Sequence, residues 1–231
     1  MSTPVPRRDR LVRPLFLAFL LAAAVDLVGV LADIPLAHLV AKPLLMPLLA
    51  AYAAARRGPR LLLAALLFGW GGDTLLMPGH DIAFLLGMGS FAAGHVCYLR
   101  LFGRARGSVT AGIGYAAVLT GFLVLIWSDL PADMRIPMAG YSLLLTAMAW
   151  RAGTLGRYAA LGGALFLLSD ALIATGIADW PQLPAPDFWI MLTYIAAQYL
   201  LTTGVLARPA QVAGSGPDDG RGAYRERIIN I

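Results

Sequence analysis

The feature that most constrains this chain is a series of apolar stretches, each about 20 residues long, separated by short polar segments. As an α-helix rising 1.5 Å per residue, such a stretch crosses about 30 Å of hydrocarbon. Hydrophobic residues make up 59% of the 231 residues and charged residues 13%, about half the charged share of a soluble domain. The alternating pattern of a transmembrane barrel is absent from the sequence. The sequence therefore predicts an all-α, multi-pass membrane helix bundle that forms one domain.

Breaks rich in charge, proline or glycine divide the apolar sequence into eight predicted spans. Together they form a predicted transmembrane domain at 14–207, which follows a basic cytoplasmic segment at 1–13. The segment at 208–231 is rich in glycine and charge, which predicts a disordered cytoplasmic tail. The first apolar stretch lacks a small-residue cleavage site and is interpreted as a span, not a signal peptide. The predicted spans are 14–32, 36–55, 61–77, 82–102, 109–127, 134–150, 158–177 and 187–207.

The basic residues fall almost entirely on one side of this predicted bundle. Of the 18 lysines and arginines, all but two lie at the termini or in loops on that side; Arg135 lies opposite, and Lys42 lies inside a span. The positive-inside rule therefore predicts that both termini are cytoplasmic. The opposite side, whose loops carry aspartates, is called the outer side below. Because the arginines are spread over several loops, the net charge of +5 does not predict nucleic-acid binding.

Other residues indicate the protein's environment and structure and say less about its chemistry. The single cysteine, Cys97, excludes a disulfide framework and a cysteine-based metal site. His38 and His80 fall in or beside outer loops and are interpreted as solvated. The Ala-, Leu- and Arg-rich usage with one lysine is typical of a GC-rich bacterial genome, which predicts the bacterial inner membrane. Four tryptophans near span ends are interpreted as interfacial anchors: Trp70, Trp127, Trp180 and Trp189.

Ionisable side chains inside the spans are the first candidates for a functional site, because charge is costly at membrane depth. Asp26, Asp73 and Asp170 each follow a cytoplasmic-side arginine by thirteen residues. Lys42 and Tyr194 each precede one by fourteen. At 1.5 Å per residue, all five lie about 20 Å from the cytoplasmic boundary. This common depth predicts one polar layer contributed by several helices.

Three more polar residues lie deeper, toward the cytoplasmic side. His95 is about one helical turn below the layer, and Tyr98 follows it on the same face of the span. Tyr194 and Gln198 share a face in the last span, where they are candidates either to bind a ligand or to hydrogen-bond between helices. A lone histidine in a span is often an interhelical hydrogen-bonding group, and this alternative stays open for His95.

The second half of the chain echoes the first. The segments FGWGGDTLLM and FLLGMGSFAAGHVCYL are similar in order and spacing to LFLLSDALIA and FWIMLTYIAAQYLL. Four spans in each half would form a parallel repeat, with Asp73 and Asp170 in equivalent positions. Small residues, Gly72 and Ser169, precede the two aspartates and permit close helix approach. The structural alternative for both is a hydrogen-bond anchor.

Lys42 has a functional and a structural interpretation. It precedes Pro43, and Pro47 follows, so span two is predicted to be kinked. Functionally, Lys42 would hold a carboxylate ionised or bind an anionic head group. Structurally, it would neutralise an aspartate in a salt bridge, for which Asp26 is the preferred partner.

The order of these motifs resembles that of the YhhN/TMEM86 family, over the region from span two to span eight. The characterised members are lysoplasmalogenases, which hydrolyse the vinyl ether bond of lysoplasmalogens to a fatty aldehyde and glycerophosphocholine or glycerophosphoethanolamine. The resemblance therefore implies a lysophospholipid substrate within a lipid bilayer. Asp26 lies outside it. The matching residues are Lys42, Pro43, Gly72, Asp73, Gly87, Phe91, His95, Tyr98, Phe166, Ser169, Asp170, Ala171, Leu172, Tyr194 and Gln198.

The implied reaction sets clear demands on a site. Protonation of the vinyl ether β-carbon generates an oxocarbenium ion, which water captures before the hemiacetal collapses. Two carboxyl groups supply an acid, a water-positioning base and negative charge without a cofactor, as in glycosidases. Asp73 and Asp170 are therefore predicted to be the acid/base pair, with the two roles unassigned. Lys42 would favour the ionised form of one of them, and His95 and Tyr98 would orient the lipid or the water.

Two other functional readings stay open from the residues alone. A proton-coupled transporter also places carboxylates and a lysine at mid-depth in repeated halves, but it needs discontinuous spans and a water path to each side. A metal-dependent hydrolase would use Asp73, His95 and Asp170 as ligands, although one histidine and no usable cysteine make a poor zinc site. A purely structural or sensing protein leaves the common depth unexplained.

Overall fold

The apolar stretches fold into helices throughout the part of the chain that the computed structural model describes, residues 9–77, 79 and 81–214. In these residues there are eight α-helices and one 3-10 turn, Gly153–Leu155, which confirms the all-α prediction. The helices are α1 (Asp9–Leu31), α2 (Pro35–Ala55), α3 (Arg60–Leu76), α4 (Asp81–Phe102), α5 (Val109–Ile126), α6 (Arg135–Ala152), α7 (Arg157–Ile177) and α8 (Pro186–Gly214).

The helix ends lie close to the predicted span ends except at the two termini. There α1 begins at Asp9, inside the segment predicted to precede the spans. At the other end α8 continues to Gly214. It therefore includes 208–214, where a disordered tail was predicted, while 215–231 lie outside the described residues, as does His80.

Six of the described helices are long and apolar enough to cross a membrane, namely α1, α2, α4, α5, α7 and α8. The chain is therefore an integral membrane protein. At 17 residues, α3 is at the short end of the range for a spanning helix. The sixth helix is less apolar because it carries Tyr141, Ser142 and Thr146, which are half-buried or buried in the bundle. The crossing of all eight helices stays a prediction.

The helices pack mainly as sequential hairpins. The most extensive pairs are α1 with α2, α3 with α4, and α7 with α8. In addition, α6 joins α4 to α7, and α8 contacts α1, α2 and α3. The fifth helix packs chiefly on α6, and its only buried residue is Ile126. Two of these pairs are those that the predicted parallel repeat would relate, and the repeat itself stays a prediction.

Small residues let the paired helices approach closely. A Cβ atom at Gly72 of α3 would lie 2.4 Å from the Phe91 ring of α4. At Gly162 of α7 it would lie 2.8 Å from the backbone nitrogen of Leu201 in α8. Such close backbone approach is the usual basis of helix association in membranes, where lipid removes the hydrophobic drive between helices. Pro43 and Pro47 lie within α2, which is one uninterrupted helix, and the predicted kink stays a prediction.

Candidate active site

A cavity of about 180 Å³ lies in the outer half of the bundle. Every helix except α1 contributes to its lining. Leu, Ile, Val, Met, Phe and Ala side chains form most of the wall. The polar residues of the lining are Lys42, Asp73, Tyr141, Ser142, Ser169, Asp170 and Tyr194. The cavity is thus a mostly apolar chamber whose lining includes two carboxyl groups and one ammonium group.

The structure brings four of the five residues of the predicted layer to this one cavity. Lys42, Asp73, Asp170 and Tyr194 come from α2, α3, α7 and α8, and all line it. Similar distances along different helices therefore correspond to a shared position in space. The fifth residue, Asp26, does not line the cavity.

Asp73 is anchored by a hydrogen-bond chain that crosses from α3 to α8. The Tyr194 hydroxyl donates to Oδ2 of Asp73 at 2.7 Å. That hydroxyl accepts a long hydrogen bond from the Gln198 side-chain amide at 3.5 Å, and Gln198 Oε1 accepts from the Tyr98 hydroxyl at 2.8 Å. All four side chains are buried. Tyr98, predicted to orient the lipid or the water, and Gln198, a candidate for ligand binding or interhelical hydrogen bonding, therefore lie behind Tyr194 and do not line the cavity.

Asp170 is anchored by a second chain, from α7 to α6 and α4. The Tyr141 hydroxyl donates to Oδ2 of Asp170. Since a tyrosine has one hydroxyl hydrogen, the contact of 3.2 Å between Tyr141 and Nε2 of His95 requires the histidine to donate. The other ring nitrogen of His95, Nδ1, is buried and has no hydrogen-bond partner. His95 supports Tyr141 and does not line the cavity.

The two anchors are alike in what they leave free. In each carboxyl group, Oδ2 accepts from a tyrosine, whereas no described side chain or backbone group bonds Oδ1. Neither Oδ1 is enclosed by protein, because the buried and unpaired polar atoms belong to other residues. Each carboxyl group of Asp73 and Asp170 can therefore present one oxygen to a molecule in the cavity.

Aromatic rings fill the space between the two tyrosine–aspartate pairs. Phe166 packs edge-to-face on the rings of Phe91, His95 and Tyr194, with centroids 6.1, 4.8 and 5.5 Å away. Phe91 and Tyr194 also meet edge-to-face, at 5.9 Å. Edge-to-face pairs are favourable and directional, so the cluster fixes the tyrosine that holds Asp73. Phe166 is buried and lies four residues before Asp170, about one helical turn away along α7.

Two glycines of α3 make room for this arrangement. A side chain at Gly72 would collide with the ring of Phe91. One at Gly69 would lie 3.0 Å from the Gln198 amide nitrogen and 3.3 Å from the Tyr194 hydroxyl oxygen. On α7, the Ser169 hydroxyl donates to the backbone carbonyl of Ile190 at 3.1 Å and ties that helix to α8. Small residues beside each aspartate thus admit the partners that position it.

Lys42 contributes the positive charge of the site. Its side chain is half-buried and lines the cavity together with Asp73. In the described residues, Asp26 is in contact with His38, and Lys42 has no direct carboxylate partner. The ammonium group is therefore available to an anion entering the cavity.

The outer ends of α1 and α2 differ from the structural interpretation of Lys42. Asp26 forms no salt bridge with Lys42; Nδ1 of His38 lies 2.9 Å from its Oδ1 instead. His38, interpreted as solvated in or beside an outer loop, lies in the first turn of α2 with its side chain 30% exposed. Residue spacing along the chain did not predict the contact between His38 and Asp26, because this contact depends on how α1 and α2 are rotated against each other. Gly29 sets that approach: a Cβ there would lie 2.7 Å from the Cβ of Ala37.

Tyr141 is the main site residue that the sequence analysis did not single out. It lies ten residues before Arg151 and holds Asp170. The signal available was weak, namely a tyrosine inside the least apolar span.

The structure does not support the metal-site interpretation: within the described part of the chain, no group of three His, Cys, Asp or Glu side chains could hold a metal ion. Asp73, His95 and Asp170 therefore do not form such a set.

Comparison with known proteins places the chain among relatives from animals and bacteria. A model of the YhhN family matches residues 37–205. The human protein named lysoplasmalogenase TMEM86B is 37% identical over 152 residues, which cover 65% of this chain and 65% of the human one. A Mycobacterium bovis protein named lysoplasmalogenase is 35% identical over 175 residues, which cover 68% of this chain and 66% of that one. The chain thus spans just under two thirds of the length of these relatives. No solved structure matches it.

Proposed function

Because the chain belongs to the YhhN family, whose model matches well over half of its residues, we propose that it is a lysoplasmalogenase. The proposed reaction is hydrolysis of the vinyl ether bond of a lysoplasmalogen inside the membrane. Its products are a fatty aldehyde and glycerophosphocholine or glycerophosphoethanolamine. The relatives' names supply the reaction, and the residues of the cavity supply the means to carry it out.

The observation that carries the proposal is that two carboxyl groups line one mostly apolar cavity. Asp73 and Asp170 each keep one oxygen free there, while the other is held by a tyrosine. Acid-catalysed cleavage through an oxocarbenium ion needs a proton donor, a base for water and nearby negative charge. Two carboxyl groups that face one chamber meet all three needs without further groups.

The reaction balances on these two residues. One aspartic acid transfers its proton to the β-carbon of the vinyl ether, which leaves an oxocarbenium ion at the α-carbon. The other aspartate accepts a proton from water as the water oxygen bonds to the α-carbon, which forms a hemiacetal. The second carboxyl group then transfers its proton to the glycerol oxygen while the first accepts the hemiacetal hydroxyl proton, which breaks the carbon–oxygen bond and releases aldehyde and alcohol. One water is consumed, and each carboxyl group can return to its starting form.

The other cavity residues fit the substrate's remaining parts. The Lys42 ammonium group would bind the phosphate of the head group, since it lacks a carboxylate partner. Apolar side chains would contact the alkenyl chain next to the vinyl ether. Tyr141 and Tyr194 would hold the carboxyl groups at fixed angles, and His95, Tyr98 and Gln198 would support the tyrosines.

Loss of either carboxyl group tests this proposal. Asp73→Asn and Asp170→Asn should each lower kcat for lysoplasmalogen by at least about a hundredfold, because a general acid or base contributes roughly 10²–10⁴. The measurement is aldehyde release by purified protein in detergent, with Asp133→Asn, an exposed outer-loop change, as the matched control. Near wild-type hydrolysis by either site variant would overturn the acid/base pair. Release of fatty acid from the ester lysolipid in place of aldehyde would overturn the proposed substrate.

A transporter would have to pass its substrate beyond the aromatic cluster beneath the cavity. The buried rings of Phe166 and Tyr98 lie on the cytoplasmic side of the carboxyl groups, where such a path would run. Uptake into proteoliposomes without product would nevertheless favour transport. The arginine distribution further supports cytoplasmic termini, and the composition supports a bacterial inner membrane as the location.

A further inference from the structure

The residues that line the cavity do not indicate how a lipid reaches it, whereas the packing of α5 indicates an entry route. We propose that the gap between α4 and α5 is a lateral gate, through which a single-chain lysophospholipid enters from the outer leaflet with its hydrocarbon chain remaining in the gap. This inference rests on the proposed function, because it assigns an entry route to the same substrate. It adds a binding surface for the chain that lies outside the catalytic end.

The size of the cavity requires part of the substrate to lie outside it. A volume of about 180 Å³ is close to that of a cavity of about 150 Å³ that holds one benzene ring. Pockets that enclose whole ligands measure roughly 300–1,000 Å³. The chamber can therefore enclose the vinyl ether and a few methylene groups but not a complete lysolipid. The rest of the hydrocarbon chain must pass through an opening in the wall.

The weakest part of the wall is at α5. This helix packs chiefly on α6, and it makes no extensive contact with α4 or α7, although α4, α5 and α7 all line the cavity. Its only buried residue is Ile126, at its outer end. Because little packing holds the rest of α5 in place, separating it from α4 costs less than opening any of the extensive pairs.

The facing surfaces of the gap are apolar and adjustable. Phe84 and Met88 of α4 line the cavity from one side, and Val118 and Phe122 of α5 line it from the other. Val118 is also 63% exposed, so one side chain borders both the cavity and the surrounding lipid. The methionine side chain is flexible and adapts readily to a hydrocarbon chain. A hydrocarbon chain in this gap would exchange lipid contacts for protein contacts at little cost.

The leaflet follows from the direction of the helices. The lining residues of α4, Phe84 and Met88, lie near its outer end, whereas Val118 and Phe122 lie in the outer half of α5. The inner ends of these helices are joined by the short segment 103–108, and the lining residues of both helices lie away from that connection. The carboxyl groups lie about 20 Å from the cytoplasmic boundary of a hydrocarbon layer about 30 Å thick. A lipid held there with its phosphate at Lys42 belongs to the outer leaflet.

Narrowing the gate should affect long chains more than short ones. We expect Val118→Trp and Met88→Trp each to raise KM for a long-chain lysoplasmalogen about tenfold more than they raise KM for a water-soluble analogue whose alkenyl chain is short enough to fit the chamber. The matched control is Val124→Trp, because Val124 is 71% exposed on the same helix and does not line the cavity. Retained cleavage of the short analogue shows that the variant protein is folded and its chemistry intact.

The gate is wrong if both variants keep the wild-type KM for the long chain, if they weaken long and short substrates equally, or if Val124→Trp has the same selective effect. Wild-type protein that cleaves neither substrate would instead overturn the proposed hydrolysis. The leaflet is tested separately in membrane vesicles, with lysoplasmalogen added from outside. Right-side-out vesicles should release aldehyde severalfold faster than inverted ones, and the opposite order would overturn entry from the outer leaflet.

Discussion

The Tyr194 hydroxyl of α8 donates a hydrogen bond of 2.7 Å to Oδ2 of Asp73 in α3, two residues separated by 121 positions. This contact turns the other carboxylate oxygen toward the cavity and joins the two halves of the chain. Tyr141 makes the equivalent contact with Asp170 from α6. Each candidate catalytic carboxyl group is therefore positioned by a tyrosine from another helix.

Removing the Tyr194 hydroxyl should impair catalysis without disturbing the fold. In Tyr194→Phe the ring can keep its edge-to-face contacts with Phe91 and Phe166, while Asp73 loses its donor. A hydrogen bond to a charged group is worth about 1.5–3 kcal/mol, so we expect kcat to fall roughly tenfold to a hundredfold. Steady-state kinetics measure the effect, with Tyr199→Phe on the same helix as the control. A wild-type kcat for Tyr194→Phe would show that the hydroxyl does not matter.

His95 should act only through Tyr141. We expect His95→Phe, which keeps a ring among the aromatic side chains, to lower kcat severalfold because the Tyr141 hydroxyl loses its donor. In a Tyr141→Phe background the same change should add almost nothing, since residues in one hydrogen-bond chain are strongly non-additive. His95→Gln, which can still donate a hydrogen bond to Tyr141, should retain more activity than His95→Phe. Additive losses in the double variant would mean that His95 acts independently of Tyr141.

Gly72 should be intolerant of a side chain. A Cβ there would lie 2.4 Å from the Phe91 ring, so Gly72→Ala forces Phe91 away from the cavity wall. Overpacking of this kind costs about 1–3 kcal/mol, which a thermal unfolding scan in detergent would detect as a lower Tm. Gly89→Ala on α4 is the control, because nothing lies within 4 Å of its Cβ position. The double variant Gly72→Ala, Phe91→Leu should recover Tm, and failure to recover would point to a cause other than this collision.

Lys42 should govern substrate affinity through its charge. We expect Lys42→Gln to raise KM for lysoplasmalogen about tenfold, because roughly 1.4 kcal/mol of attraction to the phosphate would be lost. Lys42→Arg should retain most of the affinity. An uncharged vinyl ether that lacks the phosphate should bind to wild type and to Lys42→Gln equally well. If Lys42→Gln lowered kcat for the uncharged compound as well, Lys42 would serve the carboxyl groups and not the head group.

The outer loops contain a contact that should weaken in acid. The indole N–H of Trp180 donates to Oδ2 of Asp129 at 2.7 Å, and the Ser128 hydroxyl donates to Oδ1; these hydrogen bonds lower the pKa of Asp129. A carboxyl group with a lowered pKa stabilises the folded state above its unfolded pKa, and this contribution is lost as the pH falls through the folded pKa. Asp129→Asn keeps an acceptor but does not titrate. Wild type should therefore have the higher Tm near pH 6, and the small difference should shrink as the pH falls below about 4, the usual pKa of an aspartate; a difference independent of pH would contradict this reasoning.

Much of the architecture could be predicted from local sequence. Apolar length and the breaks between stretches placed most helix ends within about two residues, because the helical rise and the thickness of the bilayer are constants. The same constants gave the depth of Asp73, Asp170, Lys42 and Tyr194, which do share one cavity. Depth along a helix is a local property, and residues alone suffice for it.

What the sequence by itself determined is therefore an all-helical membrane protein with a polar layer at one depth and a family resemblance for its chemistry. Only the tertiary structure decided that His38 and not Lys42 pairs with Asp26, that Tyr141 holds Asp170, and that Tyr98 and Gln198 lie behind the cavity wall. These contacts depend on the rotation of each helix about its axis and on close approach at small residues such as Gly29 and Gly72. Rotation and approach are set by all neighbouring helices at once, whereas depth is set by the residues of one helix.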